Sequence, residues 1–341
     1  MLSLKYDVYY EFTPGGMTLY ELIPVKRKWQ LSFDPSLHAD VKELMESIAR
    51  GMDDDQVAQV QGFARKVLEF LLNKGLISSM DSSEHRTNPF LRQIEVFDSW
   101  NRTDRSPFCF QELLTNASIL VIGAGGVGST LVSLLCSVGI GRVFCVDFDR
   151  IEIHNLARQA LYTQADLGKF KVEVLAQRCN ARGLTVVTPI VERLTSENVG
   201  RVLDQCGHVS AVTGLPLPNN ESVRRLYVQI LARGIPILCV GEHDVGPFLT
   251  RVDDIDRYSE WVRRAFQLAS LWAEQRQFKA ALNKHPSYAP GIAIVCATAV
   301  DQLVRRVTGL GEVATARGFY SLDPVTGELK RKLLREGDDL P

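Results

Sequence analysis

A chain of 341 residues, 45% of them hydrophobic, is long enough for two domains with a sizeable core. Its 39 basic and 40 acidic residues leave a net charge of -1, which gives no electrostatic footprint for nucleic acid or a membrane surface and points to a small molecule or a peptide as partner. No apolar run approaches the roughly 18 residues that span a bilayer, and the start, Met1-Leu2-Ser3-Leu4-Lys5-Tyr6-Asp7, lacks the apolar core of a signal peptide, so the expected location is the cytoplasm.

From the N-terminus, residues 5–12 alternate aromatic and polar side chains as a strand does, Pro14-Gly15-Gly16 marks a turn, and residues 18–25 and 29–33 supply two more strands. Helical periodicity follows. Residues 36–50 place Leu37, Val41, Leu44 and Ile48 on one stripe, and residues 56–74 do the same with Val57, Val60, Phe63, Ala64, Val67, Leu68, Leu71 and Leu72. Three short strands with helices predict a small α+β winged-helix domain over residues 1–80. Winged helices commonly bind DNA. Here the last helix mixes Arg65 and Lys66 with Glu69 behind Asp53-Asp54-Asp55, and has no basic face to neutralise phosphates. The pattern resembles the leader-recognition domains of enzymes that modify ribosomally made peptides. That resemblance implies an extended leader peptide adding a strand beside residues 29–33 and packing against the helix of residues 56–74. A dimerisation or packing module is the alternative.

Residues 81–105 open with the polar Asp81-Ser82-Ser83-Glu84 and read as a linker, which then carries Phe90-Leu91-Arg92-Gln93-Ile94. Residues 106–341 form the larger domain. An apolar strand at residues 119–122 runs into Gly123-Ala124-Gly125-Gly126-Val127-Gly128, where glycines permit a tight turn and let phosphates approach the start of a helix over residues 127–138. A second strand at residues 143–146 ends in Asp147, roughly 20 residues on, where a carboxylate can accept ribose hydroxyls. The glycines alone are equally compatible with a dinucleotide.

The next residues narrow that choice. Asp147-Phe148-Asp149 is followed by Asn155-Leu156-Ala157-Arg158-Gln159 and then by Gly168-Lys169-Phe170-Lys171. Taken singly, Arg158 and Lys171 read as surface charges and Asp149 or Asn155 as a cap or turn former. Taken together, this D-x-D, N-L-x-R-Q and lysine series resembles the ThiF/E1-like adenylating enzymes. The resemblance implies ATP as co-substrate with Mg²⁺, Gly123, Gly125, Gly126 and Gly128 cradling phosphates, and Asp147 on the ribose. It further implies Asp149 near the metal or triphosphate, Asn155 orienting the phosphates, and Arg158 and Lys171 stabilising charge on the α-phosphate as pyrophosphate leaves. It also makes Arg92 an arginine that reaches the triphosphate of the partner subunit in a homodimer; a plain helix-surface arginine is the alternative.

After Lys171 the order is that of a doubly wound, Rossmann-like α/β fold with a mainly parallel sheet. Strands are predicted at residues 186–190, 208–212 and 235–240, with a helix over residues 221–232. Where the family carries a magnesium-binding aspartate, this chain reads Thr213-Gly214-Leu215-Pro216, so the expected metal contacts pass to Asp149 or Glu221 or to the nucleotide itself. Residues 253–284 are helical in character, a cap beside the substrate channel or plain packing. A helix over residues 292–304 and a hairpin of residues 319–322 and 329–334 complete the chain. Seven cysteines contain no C-x-x-C pair, so no structural zinc is expected and the thiols read as buried and reduced.

Within the resembled family the organisation is similar to the peptide-antibiotic branch that matures microcin C7 and pantocin A. It implies ATP-dependent activation of a carboxylate or amide oxygen of a precursor peptide, by adenylation or phosphorylation, and a pantocin-type cyclisation of glutamate side chains suits the missing zinc cysteines. Two alternatives stay open: adenylation of the C-terminus of a ubiquitin-like sulfur carrier, and a non-catalytic protein that presents a peptide to a separate cyclodehydratase.

Overall fold

The structure is a computed structural model that describes residues 2–22, 27–78, 87–103, 105–216, 218, 220–260, 288–316, 318–323 and 325–333. Packing divides the chain into two compact units, residues 1–112 and 113–341.

In the first unit, strands β1 (Ser3–Leu4), β2 (Val8–Thr13), β3 (Gly16–Glu21) and β4 (Arg27–Ser32) precede helices α1 (His38–Arg50), α2 (Asp54–Gln59) and α3 (Gly62–Asn73); β5 (Ile77–Ser78) pairs back with β1. Strands β2, β3 and β4 form an antiparallel meander in that order, which leaves β4 as an edge. The turn from β2 to β3 needs glycine at position 16, because a Cβ there would lie 1.9 Å from the Leu31 carbonyl oxygen. Met17 and Leu19 of the central strand bury fully against Val41, Met45 and Ile48 of α1 and Leu68 and Leu71 of α3.

The expected single helix over residues 56–74 is two helices. Asp53 and Gln56 form a reciprocal capping box that starts α2 early. Val60 and Gln61 are then extended, and Gly62 restarts the helix at φ +62°, a conformation that favours glycine. The strand expected over residues 18–25 ends at Glu21, and residues 23–26 lie outside the described residues.

Helix α4 (Leu91–Trp100) packs within this first unit, and α5 (Pro107–Asn116) runs across the boundary. Buried charges hold α4 there. The Lys5 ammonium donates to the Asn101 carbonyl at 3.0 Å, and Arg102 pairs with Glu21, which is 1% exposed. Burial pushes the Asp98 carboxyl up and the Lys5 ammonium down, each partly offset by the other's charge.

The second unit is built on an eight-stranded sheet. Five strands are parallel, in the order β10 (Ile237–Val240), β9 (Ala211–Thr213), β6 (Ser118–Ile122), β7 (Arg142–Val146) and β8 (Val186–Ile190). Beside β10, strands β11 (Asp244–Leu249), β12 (Gly318–Leu322) and β13 (Leu329–Leu333) add antiparallel pairings. Helices α6 (Gly126–Ser137), α7 (Lys171–Asn180), α8 (Val199–Cys206), α9 (Glu221–Ala232) and α10 (Ala289–Thr308) cover it. One apolar cluster joins Leu120, Val146 and Val212 of the sheet to Val202 and Leu203 of α8 and Leu226, Tyr227 and Ile230 of α9. Helices α5 and α8 and strand β11 fall outside the elements predicted above. The helical run predicted over residues 253–284 is described only for residues 254–260, and the rest lies outside the described residues.

Val67, one of the periodic positions of the helix expected to face a leader peptide, points into the core at 3% exposure. Val67→Glu would therefore bury an unpaired carboxylate, and the full chain should lose about 3 kcal/mol or more of stability in a urea titration. An unchanged midpoint would place Val67 on an open face.

Candidate active site

Strands β6 and β7 run in parallel register, Ile122 beside Val146, so their C-terminal ends open together. The chain turns sharply out of β6 at Gly123, whose φ is +91°, and its N–H donates to the Val146 carbonyl at 2.7 Å. Helix α6 then begins directly against this turn. A Cβ on Gly128 would lie 1.8 Å from the Gly123 carbonyl oxygen, and one on Gly126 would lie 2.8 Å from Ile292 Cδ1 of α10. The first-turn amides of α6, which have no intrahelical acceptor, and the positive end of its dipole thus face an opening that only glycines leave clear.

Asp147 holds that opening in shape. Its Oδ2 accepts from the Ala124 N–H at 2.6 Å and its Oδ1 from the Asp149 N–H at 2.7 Å. Each oxygen keeps a second lone pair, so the carboxylate retains acceptor capacity for a hydroxyl. The buried Tyr162 hydroxyl donates to the Ala124 carbonyl at 2.9 Å, and burial pushes that phenol's pKa up. Ala124 is therefore fixed at both its N–H and its C=O.

Lys171 opens α7 with its side chain only 8% exposed, and its ammonium bonds Asp149 Oδ2 at 2.9 Å. The backbone brings it there. Lys171 N–H donates to the Asp149 carbonyl at 3.0 Å, and Ile151 exchanges bonds with Lys169 and Gly168. The Arg150 guanidinium lies 3.8 Å over the Phe170 ring and donates to the Gly168 carbonyl.

Asn155 ends a short 3-10 turn, Ile153–Asn155, and is buried; its Oδ1 accepts from the Glu152 N–H at 2.9 Å. One turn later the half-buried Arg158 donates to the His154 carbonyl at 3.2 Å, with its Cγ and Cδ 3.8 Å from where a Gly126 Cβ would stand. Gly123, Gly125, Gly126, Gly128, Asp147, Asp149, Asn155, Arg158 and Lys171 thus all belong to the second unit around the ends of β6 and β7. Arg92 belongs to the first unit, on α4, 95% exposed and 3.6 Å from Glu95.

The donors for a resident metal ion do not fit. Leu215, at the family's aspartate position, is 4% exposed inside the apolar cluster, and a Cβ on Gly214 would lie 2.4 Å from the Ile122 carbonyl oxygen. Of the two carboxylates expected to substitute, Asp149 is engaged by Lys171, and Glu221 is exposed and bonded to Arg225 at 3.1 Å. Among the described residues no group of three or more His, Cys, Asp or Glu is placed to hold a metal.

Several residues of the site carried no sequence signal of their own. Tyr162 has no spacing rule that would find it, and Gln159 carries only its place in the N-L-x-R-Q motif. Asp166 is buried below the loop, where it receives hydrogen bonds from Thr163 and Lys169 and an ion pair from Arg178. All seven cysteines are free thiols, six of them buried.

A parallel sheet whose order reverses between β6 and β9, with a glycine turn at the end of β6 and cations beside it, defines a Rossmann-type fold with an anion cradle. The chain belongs to the ThiF family, whose model matches residues 90–339. Among curated proteins it is similar to the sulfur carrier protein adenylyltransferase of Thermus thermophilus, 45% identical over 94 residues, which are 27% of this chain and 35% of that protein. It is similar also to the Nedd8-activating enzyme E1 catalytic subunit of Drosophila melanogaster, 41% identical over 126 residues, 33% of this chain and 28% of that one. The match therefore spans about a third of these relatives' lengths. Among solved structures, E. coli MccB with ATP superposes with a TM-score of 0.70 at 15% identity, over 97% of this chain and 96% of that chain. PaaA gives a TM-score of 0.63 at 22% identity over 80% of this chain and 92% of its own.

The Asp166 network makes a pH prediction. Burial opposes its charge, but hydrogen bonds from Thr163 and Lys169 and the Arg178 charge together hold its carboxyl well below the ordinary value of 3.8. A depressed folded-state pKa contributes stability above the unfolded value, lost as pH falls through it. Asp166→Asn should melt several degrees below the parent protein at pH 7, and the gap should narrow below about pH 4. A gap constant from pH 7 to pH 3 would contradict this.

Proposed function

We propose that this protein uses MgATP to activate a carboxylate or amide oxygen of a ribosomally made precursor peptide, by adenylation or phosphorylation, in the maturation of a peptide antibiotic. The observation that carries the reading is the pairing of a ThiF-family site, with Arg158 at the glycine turn and Lys171 on Asp149, with a separate N-terminal unit. The likeness to MccB covers 97% of the chain and so takes in both. MccB is a microcin C7 biosynthetic enzyme whose structure has been solved in complex with N-formylated MccA.

In the adenylation form, a peptide oxygen attacks the α-phosphorus, a new P–O bond forms, and the bond to pyrophosphate breaks. Negative charge grows on the α-phosphate oxygens in that step. Arg158 and Lys171 stabilise it from positions fixed before the nucleotide arrives, and the first-turn amides of α6 receive the neighbouring phosphates. Asp149 pairs with the buried Lys171 ammonium and holds it in place. A magnesium ion would come with the nucleotide, and the described residues offer it few donors. Asp147 holds the ribose, Asn155 orients the phosphates, and Arg92 completes the site of a partner copy in a homodimer.

The N-terminal unit acts as a winged-helix leader clamp. One edge of its three-stranded sheet is β4, where Trp29 and Leu31 pack inward and Gln30 and Ser32 face out, so a leader can add a strand there. A later cyclisation of glutamate side chains fits a peptide held in this way.

A second reading, adenylation of a sulfur-carrier C-terminus, is favoured by the 45% local identity to the Thermus enzyme. The two separate by which acyl substrate stimulates ATP–pyrophosphate exchange, a leader-bearing peptide or a ubiquitin-like protein. The buried Leu215 favours a peptide presenter without chemistry, which would show neither exchange nor ATP affinity.

Mass spectrometry of a precursor peptide incubated with protein and MgATP tests the proposal, with a product mass altered by adenylation, phosphorylation or loss of water expected. Lys171→Ala should lower turnover about 100-fold. Arg92→Ala should be inactive alone yet recover part of its activity when mixed with Lys171→Ala, through heterodimers with one complete site. Unchanged processing by Lys171→Ala, or no recovery in the mixture, would reject the corresponding assignment.

A further inference from the structure

Gln159 is 2% exposed, and its Oε1 is sealed from solvent with no hydrogen-bond partner among the described residues. Its backbone is fully engaged: its N–H donates to the Asn155 carbonyl at 3.0 Å, and its C=O accepts from the Tyr162 N–H at 3.0 Å. The side chain alone is left over. It ends beside the glycine turn, with Nε2 4.0 Å from where a Cβ on Gly125 would stand.

A buried carboxamide left unbonded is costly, because it has surrendered its water without a replacement. The immediate neighbour of Gly125 offers it nothing. Both polar groups of Ala124 are taken, the N–H by Asp147 and the C=O by Tyr162. The Gly125 carbonyl accepts from the Ser129 N–H as the first bond of α6. The unfilled donors that remain at this spot are the first-turn amides of the helix and the carboxamide itself. A ligand rich in acceptor oxygens satisfies all of them at once.

We propose that Gln159 is a further phosphate-contacting residue, whose carboxamide NH2 donates to an oxygen of the nucleotide triphosphate lying over the glycine turn. The proposal rests on the ATP reading above. Gln159 differs from Arg158 and Lys171 in kind: it adds a directional bond without adding charge, so it fixes the orientation of the phosphate chain more than the attraction for it. The amide nitrogen already stands on the side of Gly125, so it meets the phosphate without rotation of the group.

The test is titration with AMPCPP and Mg²⁺, which avoids turnover, read by calorimetry and by thermal melting. Gln159→Met keeps the length and removes both polar ends; Gln159→Glu keeps the shape and puts a negative charge beside the phosphates. AMPCPP binding should weaken about tenfold in Gln159→Met and about a hundredfold in Gln159→Glu. The nucleotide-free melting temperature of Gln159→Met should equal or exceed that of the parent, because an unbonded buried group has gone. A merely structural residue would instead lower that temperature. AMPCPP affinity of Gln159→Met within twofold of the parent would overturn the proposal, as would a fall in its nucleotide-free melting temperature alongside the lost affinity. A parent protein that binds no AMPCPP would overturn the ATP reading itself and this proposal with it, and that outcome is distinct because it appears before any substitution.

Discussion

The carboxylate of Asp147 accepts from two backbone amides, Ala124 N–H at 2.6 Å and Asp149 N–H at 2.7 Å, and so ties the turn after β6 to the turn after β7. Charge-assisted bonds to a carboxylate are shorter and stronger than neutral ones, and these two fix the relative position of everything downstream. The first sets the glycine turn and the start of α6. The second sets Asp149, whose side chain receives the Lys171 ammonium and whose carbonyl receives its backbone N–H. One acidic side chain thus places an anion cradle and a buried cation on either side of a single opening.

The parts of this arrangement that sequence could reveal are those in which chemistry forces a residue type at a fixed spacing. Glycines 123, 126 and 128 stand where a Cβ would collide or a left-handed turn is required, and Asp147 ends a strand because only a strand end can reach the neighbouring turn. The parallel core strands were legible for a related reason: buried on both faces, they read as unbroken apolar runs. Tyr162 and Gln159 were not legible in the same way. Their positions depend on the path of the chain between Asn155 and Lys171, a stretch of short 3-10 turns with no periodicity.

Tertiary context overrode local pattern elsewhere. The apolar stripe from Val57 to Leu72 runs at helical period through a break, because Val57 and Val60 pack on the same core as Val67 and Leu71 while the backbone between them is extended. Helix α4 looks amphipathic and separable, yet its Asp98, Asn101 and Arg102 find their partners at Lys5, Ser78 and Glu21. Such pairs, 81 positions apart for Glu21 and Arg102 and 96 apart for Lys5 and Asn101, leave no mark on any short window of sequence. Leu215 was legible as a departure from the family's pattern, and its burial adds that the position faces the core instead of a metal.

If Asp147 is the tie on which the site depends, removing it should loosen the two turns it joins while leaving the sheet intact. Amide hydrogen exchange of the full chain with Asp147→Ala, followed by mass spectrometry, measures that directly. The account predicts exchange at least about tenfold faster in peptides covering residues 123–128 and 147–151, with peptides of the distant β12 and β13 unchanged. Unchanged exchange at Ala124 and Asp149 would contradict it.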